Sequence, residues 1–221
     1  KLLENHFCNL SVKDNNDERK KIKELKKDII SVIEKGDANQ AQIFKGWILP
    51  SVYSNDYAKI ILLNTILGSS GLSSRLFLEL REKQGLAYTV RSILEEYILS
   101  GDFIVYIATE PKNIKTSLNG FEKEINKIKT EIISDEELEN AKNNTIGRRQ
   151  FYTETNLSEA VLTGYYECVG LGFDFEEKLI NLIKSVTKEE IKETAEKYFS
   201  TGSALCVLAP EKNLKEAGLL K

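Results

Sequence analysis

The sequence predicts an α+β fold: a largely antiparallel β-sheet with helices packed on one face. Three observations carry this. Tyr88 to Leu99 and Phe103 to Thr109 are β-prone runs joined by Ser100-Gly101-Asp102, a hairpin turn. Helical patterns then follow one another from Pro111 to Tyr198 with no strand between them. Last, Ser203 to Leu208 returns as a short apolar β-prone run closed by Pro210. Strands and helices that segregate in this way give an α+β layer rather than a doubly wound parallel sheet.

The elements follow in order. Residues 1–15 have no clean period. Ile22, Leu25, Ile29 and Ile33 recur at three- and four-residue spacing, which predicts a helix over 17–35. Its basic residues Arg19, Lys20, Lys23, Lys26 and Lys27 alternate with Glu18, Glu24 and Asp28, as a solvated face does. Gly36-Asp37 ends it. Gln40 to Leu49 alternates loosely and reads as a strand. Tyr57 to Leu67 is apolar almost all round, which predicts a buried helix. Pro111 stands in the first turn of a helix whose face is Ile114, Leu118, Phe121, Ile125 and Ile128. Ser134 with Glu137, and Thr187 with Glu190, read as capping boxes opening two further helices. Between them, Leu157, Ala160, Val161, Gly164, Tyr165, Cys168 and Val169 form an apolar helical stripe, and a short helix is expected near 175–184. The last eleven residues are polar and are expected to be loose. With no internal repeat and no composition break after residue 40, residues 1–36 are expected to form a leading linker-helix and residues 37–221 a single domain.

Composition narrows the functions. The 221 residues are 41% hydrophobic and 29% charged, enough for a substantial core. A net charge of −3 gives no electrostatic case for nucleic acid. No segment has the ~18 apolar residues that cross a bilayer, so no membrane partner is expected. Cys8, Cys168 and Cys206 are far apart and odd in number, without a CxxC pair. Buried thiols in a reducing, cytoplasmic setting are the expectation. The chain contains no methionine and starts at Lys1, which suggests a piece of a longer polypeptide.

Much catalytic chemistry has no residues to run on. His6 is the single histidine, and its neighbours Glu4 and Cys8 do not complete a zinc ligand set, so an incidental surface role is expected. HExxH, HxxEH, GxSxG and the phosphate-binding GxxxxGK[ST] are absent from the sequence. Gly170-Leu-Gly172 lies between helices, which rules against a dinucleotide turn. Glu95-Glu96 and Glu176-Glu177 are adjacent in sequence, so they point apart and read as surface.

The segment from Leu67 to Val90 is different. It reads as a glycine turn, a helix with Arg81 in its last turn, a second turn at Gly85, and a strand opened by Tyr88. A guanidinium and a phenol are thereby set on either side of one reversal. Gly68-Ser-Ser-Gly71 is a flexible helix junction or a mobile substrate-guiding loop, and Arg75 is expected to pair with a neighbouring acid or to help fix its helix. Taken alone, Arg81 also suits a surface position complementing the helix dipole, and Tyr88 suits core packing.

The pattern Leu67-Gly-x-x-x-x-Ser-Ser-Arg-Leu-Phe-x-x-Leu-Arg-Glu-Lys-x-Gly-Leu-Ala-Tyr-x-Val90 resembles the carboxy-terminal homology domain of the M16 zinc peptidases, the family of pitrilysin, insulin-degrading enzyme and mitochondrial processing peptidase. Gln40-x-Gln-Ile-x-x-Gly46, Thr153-Glu-Thr-Asn156 and Ala195-x-Lys-Tyr-Phe199 extend the likeness over residues 38–210. The resemblance implies a LuxS/MPP-like α+β half. It implies a homologous HxxEH-bearing half, in cis or in trans, that holds zinc, while this chain holds no metal and is inactive alone. A dimer of homologous halves and a peptide substrate are further implications. In that reading Arg81 and Tyr88 bind substrate, and Tyr88 acts catalytically as donor to the tetrahedral oxyanion. The alternative is an M16-like scaffold or peptide-binding subunit without catalysis.

Overall fold

The structure, a computed structural model, describes residue 22 and residues 24–220. Among the described residues five strands form one sheet: β1 (Ile29–Glu34), β2 (Ala41–Leu49), β3 (Ala87–Glu96), β4 (Gly101–Thr109) and β5 (Ala204–Ala209), in the order β1-β5-β2-β4-β3. Only β1 and β5 run parallel; the other three pairings are antiparallel. The α+β expectation holds.

The helices are α1 (Tyr57–Asn64), α2 (Phe77–Glu82, π-helical), α3 (Ile114–Thr130), α4 (Asp135–Tyr152), α5 (Asn156–Cys168), α6 (Phe175–Ser185), α7 (Lys188–Phe199) and α8 (Glu211–Glu216). They cover one face of the sheet. Alternation along β4 shows the division: Phe103, Val105 and Ile107 are fully buried, while Asp102, Ile104, Tyr106 and Ala108 between them are half-exposed. Under the helices, Trp47 of β2 and Phe103 each pack on Phe199 of α7, both at 4.9 Å between ring centres. Phe121, Ile125 and Ile128 bring the apolar face of α3 to the same core. On the opposite face of the sheet Phe44 and Tyr106 stack at 4.6 Å.

Four local expectations are corrected. The helix over 17–35 gives way to strand β1 at 29–34; residues 17–21 lie outside the described residues, as do His6 and Cys8. Ile29, Ile30, Val32 and Ile33 are β-branched, and pairing with β5 satisfies a whole edge of backbone donors and acceptors. The strand is anchored by Asp28, whose carboxylate accepts from the Ser203 amide and hydroxyl, each at 2.8 Å. Second, the α5 stripe faces outward: Leu157 is 75% exposed, Cys168 is exposed, and Tyr166 is the one buried residue of the helix. Cys206 is half-exposed in β5, so neither described thiol is a core residue. Third, the carboxyl tail is not loose. It forms α8, and Leu214 is fully buried. Fourth, Glu176 is not free surface but is paired with Arg149.

Candidate functional site around Arg81 and Tyr88

Three anchors place the residues between α1 and β3. α1 continues as a π-helical turn, Thr65–Ser69, in which Gly68 lies against the β3 backbone at Ser92. Gly71 then takes φ +72°, a left-handed conformation glycine adopts at low cost. The helix restarts at Arg75, whose guanidinium grips the Glu137 carboxylate with two bonds of 2.6 and 2.8 Å. Arg75 thus ties its helix to α4, through an acid 62 positions along the chain rather than a neighbour in sequence. Leu76 and Leu80 are fully buried.

From Phe77 to Glu82 the backbone widens into a π-helix, a form that recurs at functional sites. Glu79, in the middle of it, is buried to 9% exposure and pairs with Lys83 at 3.1 Å and Lys123 of α3 at 2.8 Å. The hydrogen bonds from Lys123 and Lys83 hold its carboxyl at about 2, below the ordinary glutamate range. Gly85 ends the helix with φ +63°; its N–H bonds the Arg81 carbonyl, and the Leu86 N–H bonds the Leu80 carbonyl. The Leu86 carbonyl accepts from the Thr109 hydroxyl at 2.6 Å. These contacts fix the turn to the end of β4.

Tyr88 is the irregular residue of β3. Ala87 pairs with Thr109 and Thr89 with Ala108, so Tyr88 has no partner on β4 and forms a β-bulge. The bulge turns its side chain outward, to 81% exposure. The Arg81 guanidinium lies 4.6 Å from the Tyr88 ring centre and 4.7 Å from that of Phe77. One guanidinium N–H also donates to the Tyr88 backbone carbonyl at 2.7 Å. The two residues singled out from sequence therefore meet, and core packing does not account for Tyr88. Arg81 does keep its place in the last helical turn.

Sequence reasoning gave no separate role to Phe77 or Glu79. Their spacing held a signal, since Phe77–Arg81 and Glu79–Lys83 are four residues apart on one helix. Among the described residues no group of three His, Cys, Asp or Glu is arranged to hold a metal ion.

The family model for the peptidase M16 inactive domain matches residues 1–145. An uncharacterized zinc protease of Bacillus subtilis is 28% identical over 180 residues, which is 81% of this chain and 44% of that protein. An uncharacterized zinc protease of Streptomyces coelicolor is 32% identical over 164 residues, 72% of this chain and 34% of the relative. This chain thus spans less than half the length of these curated relatives. In fold it is similar to a protease from Helicobacter pylori, with a TM-score of 0.84, 22% identity, and coverage of 95% of this chain and 51% of that one. With the matched model taking in most of the chain, the α+β half and the motif from Leu67 to Val90 have one common explanation: this chain belongs to the M16 peptidase family, as an inactive domain.

Proposed function

We propose that this chain is the substrate-binding half of an M16-type zinc peptidase, working with an HxxEH-bearing half in cis or in trans. In this reading the zinc belongs to that other half, which carries the HxxEH motif that this sequence lacks. The observation that carries the reading is the pairing of Arg81 with an exposed Tyr88 on a bulged strand. A scaffold has no need of a large aromatic ring held out in water by a cation.

The chemistry follows from the two groups. A phenolic hydroxyl is a hydrogen-bond donor at neutral pH. Placed against a scissile carbonyl, the Tyr88 hydroxyl stabilises the negative charge that develops on oxygen in the tetrahedral intermediate. Arg81 spends one N–H on the Tyr88 carbonyl, bracing the bulge, and its remaining donors can take a carbonyl or carboxylate of a peptide. The chain would then orient peptide and stabilise charge, and the other half would activate the water.

The test is steady-state cleavage of a fluorogenic peptide by the chain assembled with its HxxEH-bearing half. Tyr88→Phe keeps the ring and the cation contact and removes only the hydroxyl. The expected result is a fall in kcat of about a hundredfold, with KM little changed, the usual size for loss of one oxyanion donor. Equal turnover by the variant and the parent would favour the non-catalytic scaffold.

A further inference from the structure

We propose that Phe77 is a positioning residue that sets the direction of the Arg81 side chain, an inference that rests on the substrate-binding reading of Arg81 and Tyr88. Arginine has a long, flexible stem, and on an exposed helix end it samples many rotamers. Here its guanidinium carbon is within cation–π reach of two rings at once, Phe77 at 4.7 Å and Tyr88 at 4.6 Å.

The two rings do not contribute alike. Tyr88 is 81% exposed and has no ladder partner, so it cannot hold Arg81 by itself. Phe77 is 7% exposed and sits in the helix beside the fully buried Leu76. It is the fixed wall. The helix that carries it is in turn tied to α3 through Glu79 and Lys123. The order of support runs from the helix, held by the buried Leu76 and Leu80, to Phe77, from Phe77 to Arg81, and from Arg81 through the 2.7 Å bond to the Tyr88 carbonyl. An aliphatic side chain of similar size would fill the same space but offer no π face.

Two measurements test this. The first uses this chain alone: the Arg81 Nε–H resonance, assigned by Arg81→Lys, should be shifted by ring currents. Phe77→Leu should move it towards the value of a free arginine, and Phe77→Tyr, which keeps the ring, should leave it near the parent value. A resonance unmoved by Phe77→Leu, in a variant whose thermal melt shows it folded, overturns the positioning role. The second is a double-mutant cycle on peptide cleavage by the assembled halves. Phe77→Leu should lower kcat/KM by about twofold to thirtyfold, the range of a lost cation–π contact, and Phe77→Tyr should restore most of it. In an Arg81→Ala background Phe77→Leu should cost nothing further. An equal loss in both backgrounds means that Phe77 acts on packing and overturns the proposal. If Arg81→Ala itself leaves turnover unchanged, the substrate-binding reading falls, and the resonance still decides whether Phe77 positions Arg81.

Discussion

A methyl group at position 68 would lie 2.1 Å from the Ser92 amide nitrogen and 2.8 Å from the Arg91 carbonyl carbon. Both are backbone atoms of β3, in register with β4, and cannot move aside without breaking the ladder. Gly68 therefore serves close approach between α1 and β3, and the chain reversal falls to Gly71, which has the left-handed backbone. Gly120 of α3 offers a contrast. A methyl there would meet Leu80 Cδ2 at 2.1 Å, the far end of a side chain that has other rotamers. Gly68→Ala is expected to cost at least about 2 kcal/mol and Gly120→Ala less, by the usual scale of overpacking. Urea unfolding of the two variants checks the ranking. A Gly68→Ala protein as stable as the parent would mean that β3 yields at Ser92.

Acidic pH should loosen the elements that flank the candidate site, because their carboxylates are held low. Glu79 ties α2 to α3, and its folded value of about 2 lies below the ordinary 4.5. Asp56, before α1, is pushed up by burial but pulled down further by hydrogen bonds from Lys197, Tyr198 and Lys59, again to about 2 from 3.8. It joins α1 to α7. A depressed folded pKa means that the unfolded chain binds the proton first. The stabilisation is thus fully present above about pH 4.5 and is lost as pH falls towards 2. The urea midpoint should decline over that window, and Glu79→Gln should remove part of the slope. A slope unchanged in Glu79→Gln would show that the Lys123 bond contributes nothing net. The same elements show what local sequence can and cannot reveal. Thr187 and Glu190 form the complete capping box read from their spacing. Ser134 accepts from the Glu137 amide, but the Glu137 carboxylate does not return the bond, because Arg75, 62 positions away, takes both its oxygens. Likewise the isoleucines of β1 satisfy helical spacing, and only a β5 that lies 170 residues later makes them a strand. The turn carrying Arg81 and Tyr88 was legible because its determinants are local: Gly85, the spacing of seven, and the helix before it. The bulge at Tyr88 depends on register with β4 and had no signature of its own.

Across the whole molecule stability is unevenly distributed, and α5 marks the weak end. The apolar positions that suggested a buried stripe, among them Leu157, Val161 and Tyr165, face outward, so hydrophobic burial does little to hold this helix. Its hold is concentrated at Tyr166, whose buried ring packs edge-on against Phe175 of α6 at 5.0 Å and whose hydroxyl joins a polar network. The Tyr166 hydroxyl accepts from Arg149 of α4 and donates to Glu176 of α6, each at 2.7 Å, and Arg149 grips the same carboxylate with two bonds of 2.7 and 2.6 Å. Burial of the Tyr166 ring raises its pKa, so the hydroxyl remains a donor throughout the neutral range. The Tyr53 hydroxyl adds one bond to the Val169 carbonyl just past the helix end. By contrast α3 and β4 are joined through fully buried Phe103, Ile107, Phe121 and Ile128. Amides of α5 should therefore exchange with deuterium faster than those of α3 or β4, through local opening that leaves the sheet intact. Arg149→Leu removes the cation that both Tyr166 and Glu176 rely on while keeping much of the stem volume. It should cost about 2 kcal/mol, below the range for a fully buried pair because the two side chains keep 12% and 19% of their exposure. That cost should appear as lost protection in α5 and the start of α6. If α3 and β4 lose protection in equal measure, α5 belongs to the cooperative core, and the Arg149 network holds the fold together rather than one helix onto it.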